Sequence, residues 1–200
     1  MSYIIRKTEA EVLFLNSKEW ETAEEISISN TNWDIPQKTN NTKAWLLYND
    51  KGIYAKFSTD ESPLILNHKE HGSDVFKDSA VELFIAPNSN DANYFNFEIN
   101  AAGYAIIGLG PNRARCRFKD IDFEQFNIKS EIKDDGFDLI FFVPFDFLKK
   151  HTSEITKDMK GNMQKCCEEE GYAHFMSAFP IFTEKPDFHA PKYFKEFTLE

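Results

Sequence analysis

Cysteine is scarce in this chain: Cys116 and the adjacent Cys166 and Cys167 are the only three in 200 residues. An odd count without regular spacing argues against a disulfide framework and fits reduced thiols, and no C-x-x-C pair suggests zinc. Long apolar runs are missing too. The opening MSYIIRKTEAEVLFLN lacks the continuous apolar centre of a secretory signal, and no stretch is long enough to cross a bilayer. As written, the sequence points to a cytoplasmic protein with no membrane partner, and to an extracytoplasmic one if the start was trimmed. Positive charge is in deficit: 23 Lys and Arg face 33 Asp and Glu, a net charge of -10. That balance argues against a nucleic-acid partner, whose phosphates need a basic surface. Metalloprotease H-E-x-x-H and nucleophile-elbow G-x-S-x-G patterns are absent, as are internal repeats and low-complexity tails.

Aromatic residues, by contrast, are abundant, with 20 Phe and 7 Tyr. They suit pleated, half-buried surfaces. Strand signals recur over Glu25–Ser29, Lys43–Tyr48, Gly52–Ser58, Ala80–Ala86, Tyr94–Ala101, Tyr104–Leu109, Arg113–Phe118, Phe126–Ile132 and Phe137–Val143. Three more lie near Asn162–Cys167, His174–Phe179 and Glu196–Leu199. Turn signals such as Asn49-Asp50-Lys51-Gly52 and Asp134-Asp135-Gly136 separate them. This pattern predicts an all-β antiparallel β-sandwich, residues 1–200 forming a single domain, with one short helix at Pro144–Lys150.

The stretch FKDSAVELFI…YFNFEINAAG carries the most chemistry. Alternation puts Val81, Leu83 and Ile85, then Phe95, Phe97 and Ile99, on one sheet face, and Glu82, Phe84, Tyr94, Asn96, Glu98 and Asn100 on the other. Two carboxylates inside strands are out of place unless that face meets water or a ligand. A polar and aromatic patch of this kind suits hydroxyl-rich ligands. Arg113, Arg115 and Arg117 alternate along one predicted strand, where guanidiniums can bond sugar hydroxyls or pair with Glu82 and Glu98. Lys165, His174 and His189 are further candidates; each histidine has sugar-bonding, metal-ligating and backbone-pairing readings.

Glu82 and Glu98 could also serve as the acid and base of a glycoside-processing enzyme, which needs two carboxylates at roughly 5 to 9.5 Å. The arginine stripe, however, is expected to keep both ionised and leave no general acid. Asp60-Glu61 and Asp134-Asp135 offer oxygen ligands for calcium, although acidic turns are usually just solvated.

In order along the chain, YNDKGIYAKF, VFKDSAVELFIAP, YFNFEINAAG, FDLIFFVPFDFL, GNMQKC and EKPDFHAPKYFKEFTLE resemble the family 9 carbohydrate-binding modules and their stand-alone bacterial relatives, from about Lys43 to Glu200. The resemblance implies a β-sandwich that binds a mono- or oligosaccharide without catalysis. It requires no cofactor, and structural calcium is possible. It places Phe76 where sugar-binding members carry a Trp six residues before a ligand-binding Glu, here Glu82. A ring covers the apolar face of a pyranose and a carboxylate bonds paired hydroxyls. Two departures stand out: Glu98 replaces an Arg, and the second aromatic of the clamp falls on Ala178. Loss of that clamp would favour a sandwich retained as an interaction or structural domain.

Overall fold

The computed structural model describes residues 2–35, 37–152 and 154–200. Its elements are the strands β1 (Tyr3–Lys7), β2 (Glu25–Ile28), β3 (Thr42–Asn49), β4 (Gly52–Thr59), β5 (Ala80–Ala86), β6 (Tyr94–Asn100), β7 (Ala105–Gly110), β8 (Cys116–Arg117), β9 (Lys129–Lys133) and β10 (Gly136–Pro144). The helix α1 (Phe145–Lys149) follows, then β11 (Asp158–Cys167), β12 (His174–Ser177) and β13 (Lys195–Leu199). Among the described residues no helix is long and apolar enough to cross a membrane.

The strands form one curled sheet in the order β8-β7-β6-β5-β11-β13-β1-β3-β4-β10-β9, with β12 on β11 and β2 on β3. The sheet is mixed, which corrects the antiparallel expectation. Strand β1 runs parallel to β13 through Tyr3–Ile5 and parallel to β3 through Arg6 and Lys7, so it stitches two otherwise antiparallel halves together. Its five residues bury only Tyr3 and Ile5. So short an alternation carries no signal of which strands it will join.

Folding over, the two halves face each other across the main core. Val81, Leu83, Ile85, Phe95, Phe97 and Ile99 come from one half, and Leu46, Ala55, Phe57, Phe137, Leu139 and Phe141 from the other. Phe97 and Phe141 meet across the layer with ring centroids 6.0 Å apart. Burying each such side chain contributes about 1.5–3 kcal/mol. Local chemistry sets the turns. Asn49 Oδ1 accepts the backbone N–H groups of Lys51 and Gly52 at 2.9 and 3.2 Å, closing the β3–β4 hairpin.

Three predicted strands end differently from expectation. Of Arg113–Phe118 only Cys116 and Arg117 form strand, against β7, and Phe118 N–H extends the contact by donating to Ile107 O. Phe126 belongs to a 3-10 turn that ends at Asn127, whose φ of 42° is left-handed. Strand β12 stops at Ser177 because Asn162 takes over: its Oδ1 accepts Phe179 N–H and its Nδ2 donates to Phe179 O. The helix forms where expected, with Pro144 as the residue before its first turn.

All residues of β5 and β6 are buried, on both faces. Their outer face is covered by Trp33 and by Ile181, Phe188, Ala190 and Phe194 of the C-terminal segment, which pack on Phe84 and Tyr94. This second layer closes over most of the face that the sequence marks as polar.

Candidate functional site

Between that outer face and its cover lies a cavity of about 210 Å³. Its lining includes Phe76, Glu82, Glu98, Arg113, Arg115, Arg117 and His189, together with Cys166, Glu168, Phe175, Asp187 and Phe188. Glu82 and Glu98 lie directly opposite each other in the β5–β6 register, so two carboxyl groups share one patch of floor.

Arg115 reaches that floor from the turn after β7. Its Nη2 donates to Glu98 Oε1, its Nε to Asn96 Oδ1, and its Nη1 to Arg113 O at 3.2 Å. Asn96 Nδ2 donates to the same Glu98 oxygen at 2.8 Å. Two glycines make room for the guanidinium stem. A Cβ at Gly108 would lie 2.6 Å from Asn96 Oδ1 and 3.1 Å from Arg115 Cγ, and one at Gly110 would lie 2.9 Å from Arg115 Cβ. Gly108→Ala should therefore cost about 1–3 kcal/mol through overpacking. Urea denaturation would detect it, and an unchanged midpoint would mean that this trough is loose.

The arginines do not act as one stripe. Arg113 pairs with Asp187 at 3.0 Å and Arg117 with Asp74 at 2.9 Å, leaving Arg115 alone on Glu98. Glu82 has no guanidinium partner among the described residues. Its Oε1 accepts the Cys166 thiol at 3.2 Å. Burial, reinforced by the adjacent Glu98, pushes the Glu82 carboxyl well above the usual range. Burial also raises Glu98, with Arg115 opposing the shift. The expected pairing of arginine with both carboxylates is thus seen for Glu98 and, among the described residues, not for Glu82. The Cys166 thiol is raised by burial and by Glu82, so it remains a neutral donor.

His189 closes the far side. Its Nδ1 lies 2.7 Å from the Tyr94 hydroxyl and its Nε2 3.8 Å from Glu98 Oε1. Burial and the nearby arginines push its pKa down to about 2, so the ring is neutral. Phe76, on the 3-10 turn Val75–Lys77, forms an aromatic wall with the Arg117 guanidinium 5.6 Å from its ring centre.

Other candidates lie elsewhere. Asn100 Nδ2 donates to Asp78 Oδ2 and His68 O at 2.9 and 2.8 Å, fixing a loop. Lys165 and His174 meet Glu61 in a separate buried cluster. Ala178 is in the main core, its N–H bonded to Met163 O, and does not face the cavity.

Phe175, Phe188 and Asp187 escaped the sequence reading. Phe175 was discoverable: it follows His174 in a strand and so points the opposite way. Gln164, on β11 beside Glu82, is fully buried with both amide atoms unpartnered among the described residues.

The acidic pairs with donor chemistry for calcium have the following surroundings. Asp60 accepts from Asn41 N–H and Nδ2 at 2.6 and 2.5 Å, Glu61 pairs with Lys165 at 2.6 Å, and Asp134 and Asp135 are exposed turn residues. Among the described residues, no three His, Cys, Asp or Glu side chains converge as metal ligands.

The sequence matches the profile of carbohydrate-binding family 9 over residues 16–199. The fold is similar to a candidate carbohydrate-binding protein from Bacteroides uniformis, with a TM-score of 0.86 and 22% identity, over 100% of this chain and 99% of that one. It is also similar to a family 9 carbohydrate-binding module from Caldicellulosiruptor kristjanssonii in complex with cellotriose, with a TM-score of 0.68 and 14% identity, over 100% and 94% of the chains. The glucose complex of a family 9 module from the same organism gives a TM-score of 0.70 at 13% identity, over 100% and 96%. No curated protein matches the sequence.

Proposed function

Because the chain belongs to carbohydrate-binding family 9, we propose that it binds a sugar without processing it, in the cavity between Phe76 and the Glu82–Glu98 floor. The observation that carries this reading is the juxtaposition, in one cavity of about 210 Å³, of an aromatic wall and a carboxyl group with bonding capacity to spare. That volume is below the roughly 300–1,000 Å³ of drug-sized ligand sites and suits a single sugar ring. Phe76 stacks on the ring's apolar face, and Phe175 takes the part of a second aromatic that Ala178 cannot. Burial raises the Glu82 carboxyl well above the usual range, and in its protonated form it can both donate to and accept from hydroxyls. Arg113, Arg115, Arg117 and His189 orient the floor and its rim.

Hydrolysis fits less well. Its two carboxyls must work on either side of a scissile bond. Here they are cross-strand neighbours on one floor, and Glu98 is occupied by Arg115 and Asn96. The loss of sugar affinity has one observation in its favour, since all three cavity arginines already have acidic partners. Calorimetric titration with glucose, cello-oligosaccharides and a broader panel of neutral sugars decides between the readings. A saturable heat with at least one sugar supports binding. Silence across the panel supports the structural domain, and release of a chromogenic aglycone supports the enzyme.

A further inference from the structure

The sandwich contains a second buried charge cluster that the cavity does not use. Lys165 is fully buried, yet it lies on the core-facing side of β11, between Met163 and Cys167. Its ammonium is 2.6 Å from Glu61 Oε2, donates to Cys166 O at 3.0 Å, and is 2.9 Å from His174 Nε2. Each partner is itself fixed. His174 Nδ1 lies 2.9 Å from Tyr172 O, so that N–H donates there and Nε2 is left to accept. Burial, and then the Lys165 charge, lower this histidine to about 3, which keeps it a neutral acceptor. Glu61 Oε1 accepts from Ser79 Oγ at 2.8 Å, and Ser79 Oγ in turn accepts Ile65 N–H at 2.8 Å. The ammonium also lies 5.9 Å from the ring centre of Phe137, which belongs to the opposite half of the sheet.

One positive charge therefore ties together β11, β12, the loop after β4, the start of β5 and the facing half of the sandwich. Glu61, one of the acidic pair with the donor chemistry for calcium, is already neutralised by it. We propose that Lys165 is the internal cation of this sandwich and takes at Glu61 the place that calcium would need there. A tethered ammonium has a fixed position and needs no free ion, whereas calcium needs 6–8 oxygen ligands that these residues do not bring together.

The unfolding midpoint of the full-length protein should be the same after EGTA treatment and in millimolar calcium chloride. Lys165→Met, which keeps the stem and removes the charge, should lower it by about 6–20 °C, because it strands the buried Glu61 carboxylate. The double variant Lys165→Met/Glu61→Gln should recover part of that loss. A midpoint raised several degrees by calcium overturns the proposal, as does Lys165→Met with an unchanged midpoint. Should the single variant fail to fold, a double variant no more stable than it also counts against the proposal.

Discussion

Arg115→Met is expected to lower stability by about 3–5 kcal/mol and to reduce sugar affinity at least tenfold. The side chain of Arg115 is 4% exposed and that of Glu98 2%, so the pair is buried. Removing the cation leaves Glu98 in a low-dielectric floor with only the Asn96 amide, and breaking a buried pair from one side costs that much. Adding Glu98→Gln should restore much of the stability, because the stranded charge disappears. It should not restore binding, because the floor has lost its guanidinium and its ordered Asn96. Urea denaturation and calorimetry on the single and double variants separate the two effects. Equal loss of stability in both variants would mean that packing of the arginine stem, not charge, dominates.

Glu82 gives the second large effect. Glu82→Ala should weaken sugar binding roughly 10- to 100-fold, the worth of one or two buried hydrogen bonds to a ligand. It should cost little stability, because Glu82 makes only a thiol hydrogen bond. Glu82→Gln should instead reveal the titration. The folded carboxyl is raised above its unfolded value, so the folded state binds the extra proton. Its contribution to stability is fully present below about pH 4.5 and is lost as pH rises through the folded pKa. An amide cannot ionise, so the advantage of Glu82→Gln over the natural protein should grow as pH rises from about 4.5 through the folded pKa. A constant difference would mean that Glu82 ionises in the fold as readily as in water.

Much of this site was legible because alternation is a strong signal in β5 and β6. It placed Glu82 and Glu98 on one face and six apolar residues on the other, and the structure keeps that division. Phe76, Glu82, Glu98, the three arginines and His189 converge on one cavity. Alternation says which residues share a face, though not what covers it, so the layer of Trp33, Ile181, Phe188 and Phe194 was invisible. Ion pairing was equally hidden, because Asp187 and Asp74 approach Arg113 and Arg117 from distant parts of the chain.

Lys165 shows the limit from the other side. A one-residue step along a strand reverses the face. Alternation therefore puts Lys165 with Met163 in the core, away from Cys166 and the cavity. Only its partners, Glu61 from one loop and His174 from the neighbouring strand, explain how a lysine is retained there. Similarly, β1 is too short to announce its pairing, and its parallel contacts arise from where β13 and β3 leave an edge between them.

The most direct test of the site is a crystal structure of the protein soaked with glucose or cellotriose. The account predicts a sugar ring in the cavity, its apolar face against Phe76 and a hydroxyl within hydrogen-bond distance of Glu82. A sugar bound on another face, or an empty cavity in crystals soaked at saturating concentration, would contradict it.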